Sequence, residues 1–136
     1  SIIEQTENNS HFDKVYRVAK WGFGDPRTFI STYSEIQQNL IPDSDAKYPK
    51  DKIGTYSTSV YTSKSPCNKF IAFLKKRLKK FYPNPVILIG KTSDGLVQRT
   101  IERDSNHPEA NHVDWWIYDG KEDYVTINFS LAEEEE

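Results

Sequence analysis

Residues 54–64, GTYSTSVYTSK, place short hydroxyl side chains where an ordinary core strand carries Val or Ile. We predict a strand over residues 54–62, in which alternate side chains point to opposite faces of the sheet. Ser57 and Ser59 then share one face, and Thr58 lies on the other. If the Thr58 face is core, Ser57 and Ser59 line a polar cleft, where hydroxyl groups can hold a carboxylate or bond the hydroxyl groups of a ligand. The alternative is an exposed strand whose hydroxyl groups face water.

A second segment with chemical capacity is HVDWWIYDG, residues 112–120. In a strand over residues 112–119, one face is apolar and predicts core packing. The other face carries an imidazole, a carboxylate and two large aromatic rings: His112, Asp114, Trp116 and Tyr118. Such a face suits the stacking of a planar ligand ring beside a charged group. It fits equally well a face that a helix or second sheet covers, with Trp116 simply buried.

Two further groups of side chains have less specific patterns. His107 and His112 lie in one segment with Glu109 and Asp114, but their spacing matches no familiar set of metal ligands, so we expect solvated loop residues and no metal. The basic run KKRLKK, residues 75–80, interleaves with apolar residues at helical spacing, which predicts the outer face of an amphipathic helix. We therefore do not expect nucleic-acid binding, although a basic stripe also suits an acidic protein partner.

These residues need a scaffold, which the apolar spacing and the turn signals predict. A strand over residues 14–20 carries Arg17 at its middle, and Asp25-Pro26 and Ser65-Pro66 are each typical of a helix start. The predicted apolar faces are Phe29, Tyr33, Ile36 and Leu40 in the first helix, and Phe70, Ile71, Leu74, Leu78 and Phe81 in the second. Further strands are predicted over residues 86–90, 96–102, 112–119 and 123–131. The order β-α-β-α-β-β-β-β predicts an α+β domain, with two early helices packed on a mainly antiparallel sheet of about six strands.

Length and charge bound the classes of protein that remain. A chain of 136 residues is one domain by size, and its formal charge of −2 favours neither nucleic acid nor an anionic membrane. No apolar run approaches the roughly 20 residues of a membrane span, and the N-terminus lacks the pattern of a secretory signal. The lone cysteine, Cys67, fits a reducing compartment. We expect a single cytoplasmic domain over residues 1–136, with a polar segment at 1–12 and a disordered acidic tail at 132–136.

Three short motifs occur in a familiar order. They are VYR in the first strand, STS after an aromatic residue about forty residues later, and an acidic strand near the C-terminus. This series resembles the ADP-ribosyltransferase fold of the arginine/STS/glutamate class. The resemblance implies that Arg17 contacts the phosphates of NAD, and that Ser57, Thr58 and Ser59 shape the nicotinamide pocket.

The resemblance also implies a late glutamate that stabilises the ribosyl transition state and orients the acceptor. Asp114 is the acid within HVDWW, and Glu102 is the alternative if the strands align differently. The family pattern has a glutamate, usually with Glu or Gln two residues earlier, whereas this chain has His112 and Asp114. The shorter side chain displaces the carboxylate by about 1 Å, a shift that can cost about a hundredfold in rate. We therefore expect a domain that binds NAD or a related nucleotide, with its transferase chemistry left open.

The alternative function is that of a non-enzymatic interaction protein. A small inhibitor or an immunity-type protein, which binds a toxin or defence-system partner, would have this size and need no complete catalytic set. The acidic tail, the basic stripe and the abundant Tyr and Trp suit a protein contact surface. The expected partner is thus either a small nucleotide or a protein.

Overall fold

In the computed structural model, which describes residues 11–132, six antiparallel strands make a single sheet, and two α-helices precede its third strand. The strands are β1 (Val15–Ala19), β2 (Thr58–Tyr61), β3 (Val86–Gly90), β4 (Gly95–Arg99), β5 (His112–Ile117) and β6 (Phe129–Leu131). The helices are α1 (Thr32–Gln37) and α2 (Ser65–Arg77). The sheet order is β4-β5-β2-β1-β3-β6. The predicted α+β class, order of elements and number of strands are confirmed. Most of the predicted polar segment (1–12) and acidic tail (132–136) lies outside the described residues.

Apolar side chains cover both faces of the sheet. On one face the buried residues are Val15, Ala19, Phe29, Val60, Leu88, Val97, Val113, Trp115, Val125 and Phe129. On the other face, α2 packs Cys67 and Leu74 against Tyr16 and Val18 of β1. Full burial of one Val, Leu or Phe side chain contributes about 1.5–3 kcal/mol relative to leaving it exposed. β1 therefore anchors both cores and is held firmly at the centre of the sheet.

The sheet is weakly joined between β1 and β2. These strands share only one paired position, Tyr16 with Tyr61, and then diverge. Residues 28–32 enter the gap, where the Thr32 N–H donates to the Ser57 carbonyl at 3.1 Å. β2 pairs along its whole length with β5 instead. The gap thus brings the hydroxyl-rich strand close to the chain that follows β1.

The prediction of one continuous first helix is wrong. Asp25 caps a 3-10 turn over Pro26–Phe29, accepting a backbone N–H at 2.9 Å. Ile30 is then extended, and Ser31 caps α1 as a new helix. Short polar side chains compete for backbone hydrogen bonds and so favour helix starts over helix interiors. The apolar spacing that predicted one helical face therefore spans two elements.

Three predicted strands are too long because one end of each is a 3-10 turn. The turns are Ile53–Tyr56 before β2, Thr100–Glu102 after β4 and Val125–Asn128 before β6. β5 also stops early, at Ile117, which leaves Tyr118 outside it. Alternating polarity cannot separate a strand from an adjoining tight turn, because pairing with a neighbouring strand decides which one forms.

α2 is amphipathic, but its apolar stripe is wider than its contact with the sheet. It begins at Ser65 itself, with Pro66 in the first turn, where the missing N–H has no helical partner to lose. Leu74 is buried, whereas Phe70 is 39% and Phe81 70% exposed. The prediction that the helix continues to Phe81 is wrong, because α2 ends at Arg77. α2 packs mainly on β1 and β3, and Phe70 of its apolar stripe remains exposed.

Candidate functional site

An open groove of about 640 Å³ lies between α2, the loop that follows α1, and the diverging ends of β1 and β2. Its walls are largely apolar and include Leu40, Ile41, Tyr48, Phe70, Phe73, Leu74, Leu78, Phe81 and Tyr82. Its polar lining includes Arg17, Lys20, Glu35 and Ser59. The volume is within the range of small-molecule sites, which are mostly apolar with a few polar groups that orient the ligand. Two residues predicted from the sequence, Arg17 and Ser59, therefore border one cavity.

Arg17 joins the two diverging strands. Its Nη1 donates to the Ser59 carbonyl at 2.8 Å, while Nε and Nη2 donate to the Thr28 carbonyl at 3.0 and 2.9 Å. Arg17 thus links β2 to the 3-10 turn that follows β1, at the place where the two strands diverge. A guanidinium has five N–H groups, so two of them have no acceptor among the described residues. Burial lowers the pKa of Arg17 from its ordinary value, and the nearby Glu35 opposes that shift.

An ion pair forms the polar end of the groove. Lys20 Nζ bonds the carboxylate of Glu35, and both side chains are nearly buried. The ammonium also lies 4.9 Å from the ring centroid of Trp21 and 5.5 Å from that of Tyr82. Burial lowers the pKa of Lys20, and its attraction to Glu35 opposes this. Lys20 and Glu35 neutralise each other's charge. Arg17, the other buried cation of the groove, has no direct ion pair within the described residues.

Asp114 is the centre of a buried polar cluster behind β2. The side chain is 3% exposed, and Arg103 Nη2 bonds its Oδ2 at 2.6 Å. The Thr100 hydroxyl donates to the same oxygen at 2.8 Å, and the Ser57 hydroxyl lies 2.7 Å from Oδ1. Gly54 allows this closure, since a Cβ there would stand 3.1 Å from Arg103 Nη2. The predicted pairing of a serine from the STS strand with a carboxylate is thus present, but inside the protein rather than in the groove.

His112 connects the buried cluster to the groove. Its Nε2 lies 2.8 Å from Ser59 Oγ, and its Nδ1 lies 2.5 Å from Thr100 Oγ1. Burial lowers the pKa of His112 below its usual 6.5, with Asp114 opposing the shift and His107, Arg103 and Arg17 adding to it. The imidazole is therefore neutral near pH 7 and can accept a proton.

The other predicted site residues lie away from the groove. Thr58 faces the core, as the alternation predicted, and donates to the Phe29 carbonyl at 3.1 Å. Trp116 is 7% exposed and donates from Nε1 to the Ile53 carbonyl at 2.8 Å. Of the two hypotheses for Trp116, a ligand-stacking ring and a simply buried ring, the structure agrees with the second, because the ring is buried and cannot stack on a ligand.

Tyr118 and Glu102 are both exposed and line no part of the groove. Tyr118 follows β5, and its backbone N–H bonds the Asp94 carbonyl at 2.8 Å. Glu102 ends the 3-10 turn after β4. The predicted strand over residues 112–119 is too long, because β5 ends one residue before Tyr118.

Four side chains of the groove and of the buried cluster were not predicted from the sequence: Lys20, Glu35, Thr100 and Arg103. Each acts through a partner that is distant in the chain, as in the pairs Lys20–Glu35 and Arg103–Asp114. A buried acid on a helix with polar neighbours carries no local signal of its partner. Only the meeting of α1 with the end of β1, and of the loop after β4 with β5, creates these pairs.

Comparison of the chain with protein-family models, with curated proteins and with solved structures found no match. Within residues 11–132, no helix is long and apolar enough to cross a membrane. Nor do three His, Cys, Asp or Glu side chains of that part of the chain converge in a way that could hold a metal ion. The ring centroids of His107 and His112 are 4.8 Å apart with the rings tilted by 31°, and Nδ1 of His107 contacts the Glu109 backbone.

Proposed function

We propose that this domain resembles the ADP-ribosyltransferases in function as well as in motif order, and that it binds NAD, ADP-ribose or a related nucleotide in the groove. The observation that carries the proposal is the convergence of three motifs that are far apart in the sequence. Arg17 of β1 bonds the Ser59 carbonyl of β2 at 2.8 Å, and Ser57 contacts Asp114 of β5 at 2.7 Å. These strands are neighbours in the sheet.

The lining of the groove suits a ligand that combines anionic and planar parts. Arg17 has two N–H groups without an acceptor among the described residues, and paired N–H donors match phosphate oxygens well. Tyr48 and Phe73 on the walls supply rings for a base or a nicotinamide. The ligand would lie with its phosphates toward Arg17 and its rings toward α2.

The position of Asp114 separates nucleotide binding from transfer chemistry. Its carboxylate is covered by Arg103 and bonded by two hydroxyl groups, so it does not reach the groove in this conformation. Glu102 is exposed and outside the groove. Transferase activity through Asp114 would require Arg103 to leave the carboxylate. We therefore propose binding as the function, with ADP-ribosyl transfer as a hypothesis that depends on this movement.

Calorimetry and thermal unfolding with NAD, ADP-ribose and ADP test the proposal. A ligand at a hundredfold excess over its Kd stabilises the fold by about 2.7 kcal/mol. Phe73→Ala, at a half-exposed wall residue, should weaken the effect with little change in unliganded stability. Tyr124→Ala is the matched control, because this ring is similarly exposed but lines no part of the groove. Absence of binding by all three nucleotides at millimolar concentration would contradict the proposal.

A protein-interaction function is the second candidate, favoured by exposed aromatic rings on α2 and in the segment just after it. Phe70, Phe73 and Phe81 are 39–70% exposed and lie beside the basic run 75–80. Exposed aromatic residues next to cationic ones are typical of the centre and rim of a protein interface. A photo-crosslinking residue at position 73 should then capture one protein partner in the native host, and the same residue at position 124 should not. Equal crosslinking from both positions would argue against this candidate.

A further inference from the structure

One serine of the groove is aligned on a histidine. Ser59 lines the groove, and its Oγ lies 2.8 Å from Nε2 of His112, which is on the neighbouring strand β5. On the far side of the imidazole, Nδ1 lies 2.5 Å from Thr100 Oγ1. Thr100 in turn donates to Asp114 at 2.8 Å. Four side chains thus form a continuous hydrogen-bonded chain from the groove to a buried carboxylate.

The direction of each hydrogen bond follows from the carboxylate end. Asp114, paired with Arg103, offers only acceptors, so the Thr100 hydroxyl proton points to it. Thr100 Oγ1 must then accept from His112, which puts the imidazole proton on Nδ1. The remaining lone pair on Nε2 faces Ser59 and accepts its hydroxyl proton. The hydrogen bonds therefore run in the same direction as those between a nucleophile, a general base and an orienting acid, except that a threonine lies between the base and the acid.

We propose that Ser59 is a nucleophile activated by His112, and that the groove hydrolyses carboxylic esters with an apolar acyl group. The apolar walls, including Phe70 and Leu74, would hold the acyl chain. The guanidinium of Arg17 bonds the backbone carbonyl of Ser59 at 2.8 Å, and both residues line the groove. Its remaining N–H groups can stabilise the oxyanion that forms on the ester carbonyl.

The proposed reaction has two balanced halves. The Ser59 oxygen bonds the carbonyl carbon while its proton passes to Nε2 of His112, and the carbonyl electron pair moves onto oxygen. The ester C–O bond then breaks, and the alcohol leaves with the proton from His112. Water then attacks the acyl carbon while its proton passes to Nε2 of His112. The bond from that carbon to the Ser59 oxygen breaks, the serine oxygen takes the proton back from His112, and the carboxylic acid leaves. The net reaction consumes one ester and one water.

This activity goes beyond nucleotide binding and does not depend on it, so the two proposals can fail separately. A purely structural role for the chain would also explain the hydrogen bonds, because they tie β2, β5 and the turn after β4 together. What separates the roles is reactivity. A structural serine resists acylating reagents, whereas a serine aligned on a neutral imidazole reacts with them.

The test treats the full chain with an alkyl fluorophosphonate, which bonds an activated serine with loss of fluoride, and follows intact mass and the modified peptide. One adduct at Ser59 is expected. Ser59→Ala should abolish it, and His112→Gln should slow it by about a hundredfold or more, the usual contribution of a general base. Ser130→Ala, at an exposed serine of β6, should leave the rate unchanged. No adduct, or an adduct that persists in Ser59→Ala, would overturn the proposal.

Ser59→Cys supplies a second readout if His112→Gln does not fold. The new thiol should react with iodoacetamide faster than an ordinary exposed thiol, whereas Cys67 is fully buried and burial raises its pKa to about 12. The rate should persist to a lower pH than that of an ordinary thiol, because transfer of the thiol proton to His112 keeps the sulfur as thiolate. The charged or titratable groups facing that imidazole are Asp114, His107, Arg103, Arg17 and Tyr61. A rate no faster than that of an ordinary exposed thiol would refute activation.

Discussion

In the Arg103–Asp114 ion pair, the carboxylate is buried and the guanidinium is partly exposed, so removing one partner should destabilise the fold more than removing the other. Arg103→Met leaves a carboxylate that is 3% exposed without its cation. Removing one partner of a buried ion pair costs about 3–5 kcal/mol, and we expect about 3 kcal/mol because Ser57 and Thr100 still bond the carboxylate. For a chain of 136 residues the unfolding entropy is about 0.3 kcal/mol per degree. Tm should therefore fall by about 10 °C.

Asp114→Asn should cost much less, about 1 kcal/mol, because every partner remains satisfied. The amide oxygen can accept from Arg103 and Thr100, while the amide N–H donates to Ser57 Oγ, whose own proton turns to the Gly54 carbonyl at 2.8 Å. The guanidinium is 23% exposed, so water can solvate its charge. In this background Arg103→Met should cost only about 1 kcal/mol more, the value of an ordinary hydrogen bond.

Urea unfolding of the four proteins of this double-mutant cycle, followed by circular dichroism and tryptophan fluorescence, measures the coupling, for which we expect about 2 kcal/mol. Arg77→Met, at an exposed arginine of α2, is the matched control and should change stability by less than about 0.5 kcal/mol. If Arg103→Met costs the same with and without the Asp114 charge, the reasoning from burial is wrong.

Three more predictions follow from single positions. The pKa of His112 is lower in the folded protein than in the unfolded chain, so the unfolded chain takes up the proton first as pH falls. The free energy of unfolding should therefore be at its full value above pH about 6.5 and decline as pH falls toward the folded pKa. Urea midpoints measured between pH 7.5 and 5 would show this decline, and His112→Gln should flatten it. Gly95→Ala would place a Cβ 2.2 Å from the Trp116 carbonyl oxygen, so we expect denaturant titration to show a loss of about 3 kcal/mol in the free energy of unfolding. Gly24→Ala, whose Cβ would have nothing within 4 Å, should cost only about 1 kcal/mol because of the positive φ at that position. Equal losses for the two variants would contradict this prediction. The Cys67 thiol should react with a disulfide reagent only as fast as the protein unfolds, and a rapid reaction in the native protein would show that α2 opens locally.

Local patterns in the sequence predicted the types and order of the main elements and the faces of the central strands, but not where each element begins and ends. Trp115 and Val113 are fully buried on the face that the period-2 alternation assigned to the core. Thr58 likewise faces inward, and Ser59 faces the groove. These predictions hold because side-chain direction in a strand depends only on residue parity once the strand exists. The same rule failed at Tyr118, because it carries no information on where pairing stops.

The candidate site was only partly predictable for a different reason. Arg17 and Ser59 could be named from residue type and position. Which N–H groups of Arg17 remain available to a ligand depends on its hydrogen bonds to carbonyl groups of residues distant in the sequence. Asp114 could be named as the acid, yet its burial under Arg103 follows from the path of the loop after β4. Whether a carboxylate is a reactive group or a buried anchor is decided by what covers it.

The sequence by itself therefore determined the α+β class, the order of the elements and the residue types available for chemistry, because propensity, periodicity and capping act over a few neighbouring residues. Only the tertiary structure decided that β1 and β2 diverge, that Arg17 bridges them, and that His112 links Ser59 to a buried aspartate. Hydrogen bonds and ion pairs between distant segments form only where the chain packs, and their energies depend on burial that no local pattern encodes.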